Sequence, residues 1–168
     1  MIEPTVYKNY FEKYTALVPE KDILSALLNQ SKILNDFFGS VSEKKAEYSY
    51  AEGKWTLKEM LQHLIDTERI FAFRALSVAR KETATLNGFD ENSYAANSSA
   101  NKRTWVELVN EMKIVRECTT LLFSSFTEDM LNTAGNFSAA TATVKIIGNI
   151  IVGHFYHHIN IVNERYLN

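Results

Sequence analysis

The four histidines of the chain fall in two segments. His63 lies in one apolar-patterned segment, and His154, His157 and His158 lie together in another near the C-terminus. His154 and His158 are four residues apart, a spacing that places two side chains about 40° apart on one face of an α-helix. A divalent metal ion accepts two imidazoles presented in this way. The pair therefore indicates a metal site, with two packed histidines as the alternative.

Hydrophobic periodicity predicts four long helices that would position these histidines. No proline follows Pro19, so nothing interrupts a helix in the rest of the chain. The second and third helices each open with a capping box, formed by Thr56 and Glu59 and by Thr104 and Glu107. The predicted helices run from about Asp22 to Phe38, from the cap at Thr56 to about Arg80, from the cap at Thr104 onward, and from Thr143 to about Tyr166. The apolar stripe of the first comprises Ile23, Leu24, Leu27, Leu28, Leu34 and Phe38.

The lengths of the connections predict the topology. The link Lys81–Arg103 has more than twenty residues, enough to return along the whole bundle, so the second and third helices can be parallel. The expected fold is an all-α, up-down-down-up four-helix bundle, with a short N-terminal helix near Thr5–Tyr14. Residues 1–168 are expected to form one domain.

This topology brings three histidines to one level. With the second and fourth helices antiparallel and their ends flush, His63 lies within roughly 2–8 Å of His154 and His158 along the axis. Three neutral imidazoles leave a coordination position for water or substrate, as in catalytic metal sites, and they suit zinc, nickel, iron or copper. His157 is expected to support these residues or to pack between helices. Asp66 and Glu68 are candidate acceptors for the imidazole N–H groups.

Composition excludes several other classes of function. The net charge of −2 provides no basic surface for nucleic acid. The N-terminus lacks the features of a signal peptide, and the apolar stretch Val144–Val162 carries too many polar groups for a bilayer span, so we expect a cytoplasmic protein. Cys118 is predicted to be buried beside Ile114 and Leu121.

Three segments, in this order, resemble the DinB/YfiT-like superfamily. The first, residues 55–74, reads WTLKEMLQHLIDTERIFAFR and contains His63. The second, residues 88–94, reads GFDENSY and resembles the loop that follows in this family; Asn87 stands where many relatives have proline. The third, residues 153–158, reads GHFYHH and precedes ERYL at residues 164–167. Together they span roughly residues 53–167.

The resemblance implies a four-helix bundle with a divalent metal held by His63, His154 and His158 and accompanied by His157. Members with assigned activities include thiol S-transferases that use bacillithiol and a maleylpyruvate isomerase that uses mycothiol. Relatives often form homodimers. Family membership does not select the small-molecule substrate.

Three functions follow as hypotheses. The first is a metal-dependent S-transferase that uses a low-molecular-weight thiol on small electrophiles, and the second is a metal-dependent hydrolase. The third is a non-catalytic, metal-binding stress-response bundle. A cationic pocket would favour the transferase, and Arg74 and Arg165 lie on the histidine-bearing sides of their helices, where they could supply the charge. A carboxylate aimed at the metal would favour the hydrolase.

Overall fold

The computed structural model describes residues 11–137 and 140–167. Residues 11–15 are helical, and the part of the predicted Thr5–Tyr14 helix before residue 11 lies outside the described residues. The remaining elements are, in order, α1 (Ile23–Gly39), α2 (Glu43–Ala46), α3 (Leu57–Ala79), α4 (Glu91–Asn97), a 3-10 turn (Ala100–Lys102), α5 (Trp105–Ser124), α6 (Glu128–Asn132), β1 (Ala134–Phe137), β2 (Ala140–Thr143), α7 (Val144–Ile161) and a π-helical turn (Val162–Tyr166).

Helices α1, α3, α5 and α7 form the predicted up-down-down-up bundle. Helix α1 is antiparallel to α5 and parallel to α7, and α3 is antiparallel to α7, so the consecutive long helices α3 and α5 are parallel. The direction of α1 against α5 follows from the contacts Gln30–Arg116 and Phe38–Trp105. The direction of α1 against α7 follows from Gln30–Val152 and Phe38–Phe155. The direction of α3 against α7 follows from Trp55–Tyr166 and His63–His158.

Both predicted capping boxes are present. Thr56 accepts from the Glu59 amide while the Glu59 carboxylate accepts from the Thr56 amide, and Thr104 and Glu107 repeat the arrangement. Each box satisfies backbone groups that a helix start otherwise leaves unpaired. These caps fix the first turns of α3 and α5, and His63 lies in the second turn of α3.

The connections contain more structure than the sequence predicts. The link between α3 and α5 carries α4 and the 3-10 turn, and α2 lies between α1 and α3. The segment that leads into α7 is an antiparallel hairpin in which Ala134 pairs with Thr143. Thr143 also caps α7 by accepting from the Ile146 amide, so the hairpin sets where α7 begins.

A buried ion pair crosses the middle of the bundle. The Arg116 guanidinium donates to both carboxylate oxygens of Glu68, at 2.8 and 2.7 Å, and also donates to the Gln30 side-chain oxygen. The Arg116 guanidinium also lies 5.0 Å from the centroid of the Phe155 ring. These contacts join all four long helices. Among the described residues no helix is long and apolar enough to cross a membrane.

The structure corrects three predictions of burial. Leu24 and Leu28 are 36% and 56% exposed, because they lie on the flank of α1 away from Ile23 and Leu27. Cys118 is exposed, since it follows the buried Arg116 by two residues, which corresponds to about 200° around a helix. Ile114 and Leu121, its expected neighbours in the core, are exposed as well.

Two glycines let neighbouring parts of the chain approach α7 closely. A Cβ atom on Gly148 would lie 2.7 Å from the Phe123 ring and 2.8 Å from a terminal methyl of Ile23. A Cβ atom on Gly153 would overlap the backbone carbonyl of Tyr14. Both glycines thus permit close packing against α7. Gly153 therefore seats Tyr14 beside the histidines of α7.

We expect Gly153→Ala to destabilise the protein by about 1–3 kcal/mol, because the added methyl group meets backbone rather than a movable side chain. Urea unfolding monitored by circular dichroism measures the change. Gly39→Ala is the control, since a Cβ atom there has nothing within 4 Å. Equal unfolding midpoints for the two variants would contradict the prediction.

Candidate metal site

Helices α3 and α7 bring the three predicted histidines together. The Nε2 atoms of His63 and His158 each lie 3.1 Å from the Nε2 atom of His154. The ligand atoms of all three lie within 4.8 Å of one another. The antiparallel arrangement of α3 and α7 thus places them at one level, as the sequence predicts.

The three imidazoles are buried and neutral. Their exposed fractions are 8% for His63, 7% for His154 and 9% for His158. Burial is the main cause that lowers the pKa of each ring, and nearby positive charge adds to it. Burial lowers the pKa of His63 to about 4, and the pKa values of the other two lie well below 6.5. At neutral pH each ring therefore has one nitrogen lone pair free to bind a cation.

The donor set fits a divalent ion. Two metal–nitrogen bonds of about 2.0–2.1 Å at a tetrahedral angle hold their nitrogens roughly 3.4 Å apart, close to the observed separations. The buried Nδ1 of His158 has no hydrogen-bond partner among the described residues. Within the described ranges no carboxylate or thiolate joins the three histidines. The cluster could hold a metal ion and leave a coordination position open.

The neighbour of His63 differs from the one that the sequence predicts. Asp66 accepts instead from Gln62 at 2.9 Å, and Glu68 is bound to Arg116. The hydroxyl of Thr67 lies 3.4 Å from the Nδ1 of His63. When that nitrogen carries the proton it donates to the hydroxyl, and Nε2 keeps its lone pair. Thr67 follows His63 by four residues, a spacing that brings two side chains together on a helix, so the sequence did contain a signal for this contact.

We expect Thr67→Val to weaken zinc binding about tenfold, because His63 loses the hydroxyl that favours the binding tautomer. Competition with a chromophoric chelator measures the affinity. Thr67→Ser keeps the hydroxyl and should bind zinc as the wild type does. If Thr67→Val binds zinc with the same affinity as the wild type, the Thr67 hydroxyl contributes to packing but not to metal binding.

Aromatic rings form the walls of the cluster. The ring centroid of Trp55 lies 4.9 Å from that of His63, and Tyr14 lies 5.4 Å from His154 and 5.5 Å from His157. His157 is half-buried, and its ring centroid lies 5.2 Å from that of His158. It therefore packs beside the three converging histidines, in the supporting position that its sequence position predicts.

Of the two arginines predicted to supply positive charge, Arg74 is buried and Arg165 is exposed at the end of the last helix. Arg74 is buried and donates to the backbone oxygen of Asn87 at 2.7 Å, so it holds the loop before α4. Its guanidinium also lies 4.8 Å from the Phe71 ring centroid. Arg165 lies over the Tyr50 ring at 5.6 Å. After burial, which is the main cause, the positive charge of Lys13 makes a smaller contribution to lowering the pKa values of His154, His157 and His158.

Comparisons with known proteins agree with this architecture. Among curated proteins none matches the sequence significantly. Among solved structures the chain is similar to YfiT from Bacillus subtilis, described as a probable metal-dependent hydrolase with an unusual four-helix bundle topology. The sequences are 16% identical, the TM-score is 0.76, and the match covers 87% of this chain and 89% of that one. The family model of the DinB superfamily matches residues 26–162. The chain therefore belongs to the DinB superfamily.

Proposed function

We propose that this protein is a divalent-metal-dependent enzyme with His63, His154 and His158 as the metal ligands. One observation carries the proposal: three neutral imidazoles converge through their Nε2 atoms, and no charged ligand joins them within the described residues. Such a set leaves room for a water, a thiol or a substrate atom at the ion. Zinc, nickel and iron all suit imidazole ligands.

The reaction we propose is transfer of a low-molecular-weight thiol to a small electrophile. A bound divalent cation lowers the pKa of a thiol or water ligand. The thiol sulfur forms a bond to an electrophilic carbon, the leaving group departs with its electron pair, and the thiol proton passes to solvent or to a base. Two features support transfer: the described residues place no carboxylate at the cluster, and Lys13 supplies positive charge for an acidic thiol.

Hydrolysis is the second candidate. The likeness to a solved structure described as a probable metal-dependent hydrolase favours it. His157 is half-buried beside His158, and burial lowers its pKa, so it is neutral at pH 7 and can accept a proton from water. In this reaction water adds to the substrate, and the leaving group takes up a proton.

The test begins with untagged protein, whose metal content is measured by mass spectrometry. Zinc-, nickel- and iron-loaded samples are then incubated with 1-chloro-2,4-dinitrobenzene and a thiol, and separately with ester substrates and no thiol. Transfer predicts a metal-dependent thioether and release of chloride. Hydrolysis predicts ester cleavage without thiol. Absence of both activities in metal-loaded protein, with stability increased by metal, would favour the non-catalytic bundle.

We also propose a homodimer, in the cytoplasm, where low-molecular-weight thiols stay reduced. Large apolar side chains on the outer sides of α3 and α5 are more than half exposed, which supports an interface between copies. They are Phe73, Val106, Ile114 and Leu121. Sedimentation equilibrium should give twice the chain mass for the wild type and a monomer for Leu121→Asp. A monomeric wild type at micromolar concentration would overturn the proposal.

A further inference from the structure

A surface cleft of about 480 Å³ lies between α3 and α4. Asp66 and Ile70 line it, and they follow His63 by three and seven residues. On an α-helix these spacings correspond to about 60° and 20° of rotation, so both residues lie on the His63 side of α3, within roughly 10 Å along its axis. The volume is that of a pocket for a small molecule.

Two of the hydrogen-bond donors that line the cleft are used by the protein itself. The Asn97 side-chain nitrogen donates to the Ser93 backbone oxygen at 2.8 Å, and the Ser98 hydroxyl donates to the Ala95 backbone oxygen at 2.8 Å. The Arg69 guanidinium pairs with the Glu111 carboxylate, at 2.6 Å. The donors that remain in the wall are the hydroxyls of Ser93 and Tyr94.

Hydrogen-bond acceptors also remain available. One carboxylate oxygen of Asp66 accepts from Gln62, and its other oxygen has no partner in the part of the chain that the structure describes. The side-chain oxygen of Asn97 is likewise without a partner among those residues. The neighbouring cations Arg69 and Arg103 both pair with Glu111; their charges act on Asp66, but among the described residues neither forms a salt bridge with it.

The apolar part of the wall is aromatic. Tyr94 is about half exposed, and its ring centroid lies 5.0 Å from that of Phe89, which holds the ring in place. Ile70 lines the same cleft from α3. A carboxylate attracts the charge of an organic cation, and an adjacent aromatic face binds both the cation and the apolar part of the same molecule.

We infer that this cleft binds the ammonium group of a small organic ligand. Asp66 is the counter-ion, the Asn97 side-chain oxygen is a second acceptor, and Tyr94 packs against the apolar part of the ligand. Assigning this ligand as the substrate rests on the proposed function, because Asp66 and Ile70 lie on the His63 side of α3. Binding itself requires no metal.

The experiment uses the full chain labelled with ¹⁵N and titrated with phenethylammonium chloride. Its controls are 2-phenylethanol, the neutral analogue, and 3-phenylpropionate, the anionic one. We expect saturable shifts of backbone amides in α4, with a Kd about tenfold lower than for either analogue. No shift at millimolar ligand, or equal binding of the alcohol, would overturn the inference.

Two variants with intact spectra locate the binding. Asp66→Asn and Tyr94→Leu should each raise the Kd about tenfold, whereas the matched control Asp36→Asn, on α1, should leave it unchanged. If Asp66→Asn binds phenethylammonium with unchanged affinity, the inference that this cleft is the binding site is refuted. Metal content is measured on the same samples. If the protein binds the amine but no metal, only the proposed function is refuted. If it binds metal but not the amine, only the inference about the cleft is refuted.

Discussion

Replacing His154 with alanine is expected to abolish tight metal binding. Its Nε2 atom lies 3.1 Å from the Nε2 atoms of both His63 and His158, so it is the nitrogen that links the other two. Without it, two imidazoles on different helices remain, and a site of two neutral ligands does not retain a divalent ion against a chelator. We expect a loss of affinity of more than about 100-fold.

The measurement is metal content by mass spectrometry after dialysis, followed by chelator competition on reconstituted protein. His63→Ala should behave as His154→Ala does. His157→Ala is the matched control, because His157 packs beside His158 but does not belong to the converging group, and it should lose much less affinity. If both His154→Ala and His63→Ala retain their full metal content, the proposal that these histidines bind the metal is wrong.

The sequence contains enough information to predict the bundle because its strongest signals are local. The capping boxes at Thr56 and Thr104 begin helices whatever surrounds them, and the long link Lys81–Arg103 permits a parallel pair. Once α3 and α7 are antiparallel, His63 reaches the level of His154. The convergence of the histidines thus follows from topology and helix rise.

Burial was harder to predict, because it depends on which side of each helix its neighbours cover. Leu28 extends the apolar stripe of α1 in sequence but lies beyond the contacts with α5 and α7. Cys118 is apolar by residue type, yet its side of α5 faces solvent. Two residues before Cys118 on the same helix, the charged Arg116 is fully buried. Its guanidinium donates hydrogen bonds to the side-chain oxygens of Glu68 and Gln30. A pairing across three helices leaves no local signal in the sequence.

The neighbour of His63 shows the same limit at the scale of one turn. Asp66 and Glu68 are the stronger acceptors by residue type, and both are close in sequence. Each is instead paired elsewhere, with Gln62 and with Arg116, and the weaker acceptor Thr67 lies beside the ring. Competition between partners decided the contact, and only three-dimensional placement reveals it.

Without metal, the free energy of unfolding is expected to fall steeply between pH 7.5 and 5.5. Burial lowers the pKa of His63 to about 4, and those of His154 and His158 lie well below 6.5. In the unfolded chain each titrates near 6.5. Below that pH the unfolded chain binds protons that the folded protein excludes, so acid stabilises the unfolded state. The contribution to stability is nearly complete at pH 7.5 and is lost as the pH falls through 6.5 toward the folded-state pKa values.

For His63 the loss is about 1 kcal/mol at pH 5.5, and His154, His157 and His158, whose pKa values are also lowered by burial, add to it in the same direction. Domains of this size are stable by only about 5–15 kcal/mol, so the effect is large. Urea unfolding in the presence of chelator, at constant ionic strength, measures it. His63→Asn removes one of the buried imidazoles and should reduce the pH dependence.

The chosen pH window separates the histidines from the carboxylates whose pKa values are lowered, whereas Asp66, whose pKa is raised by burial, contributes with the opposite sign. Hydrogen bonds and ion pairs lower the pKa values of Glu43, Glu107 and Glu111, but carboxylates in an unfolded chain titrate near pH 4, below the window. A flat stability profile from pH 7.5 to 5.5 would mean that the imidazoles take up protons inside the folded protein. Protons would then compete with a metal for the same nitrogens at mildly acidic pH, and the three-histidine site would bind metal far more weakly than its burial implies.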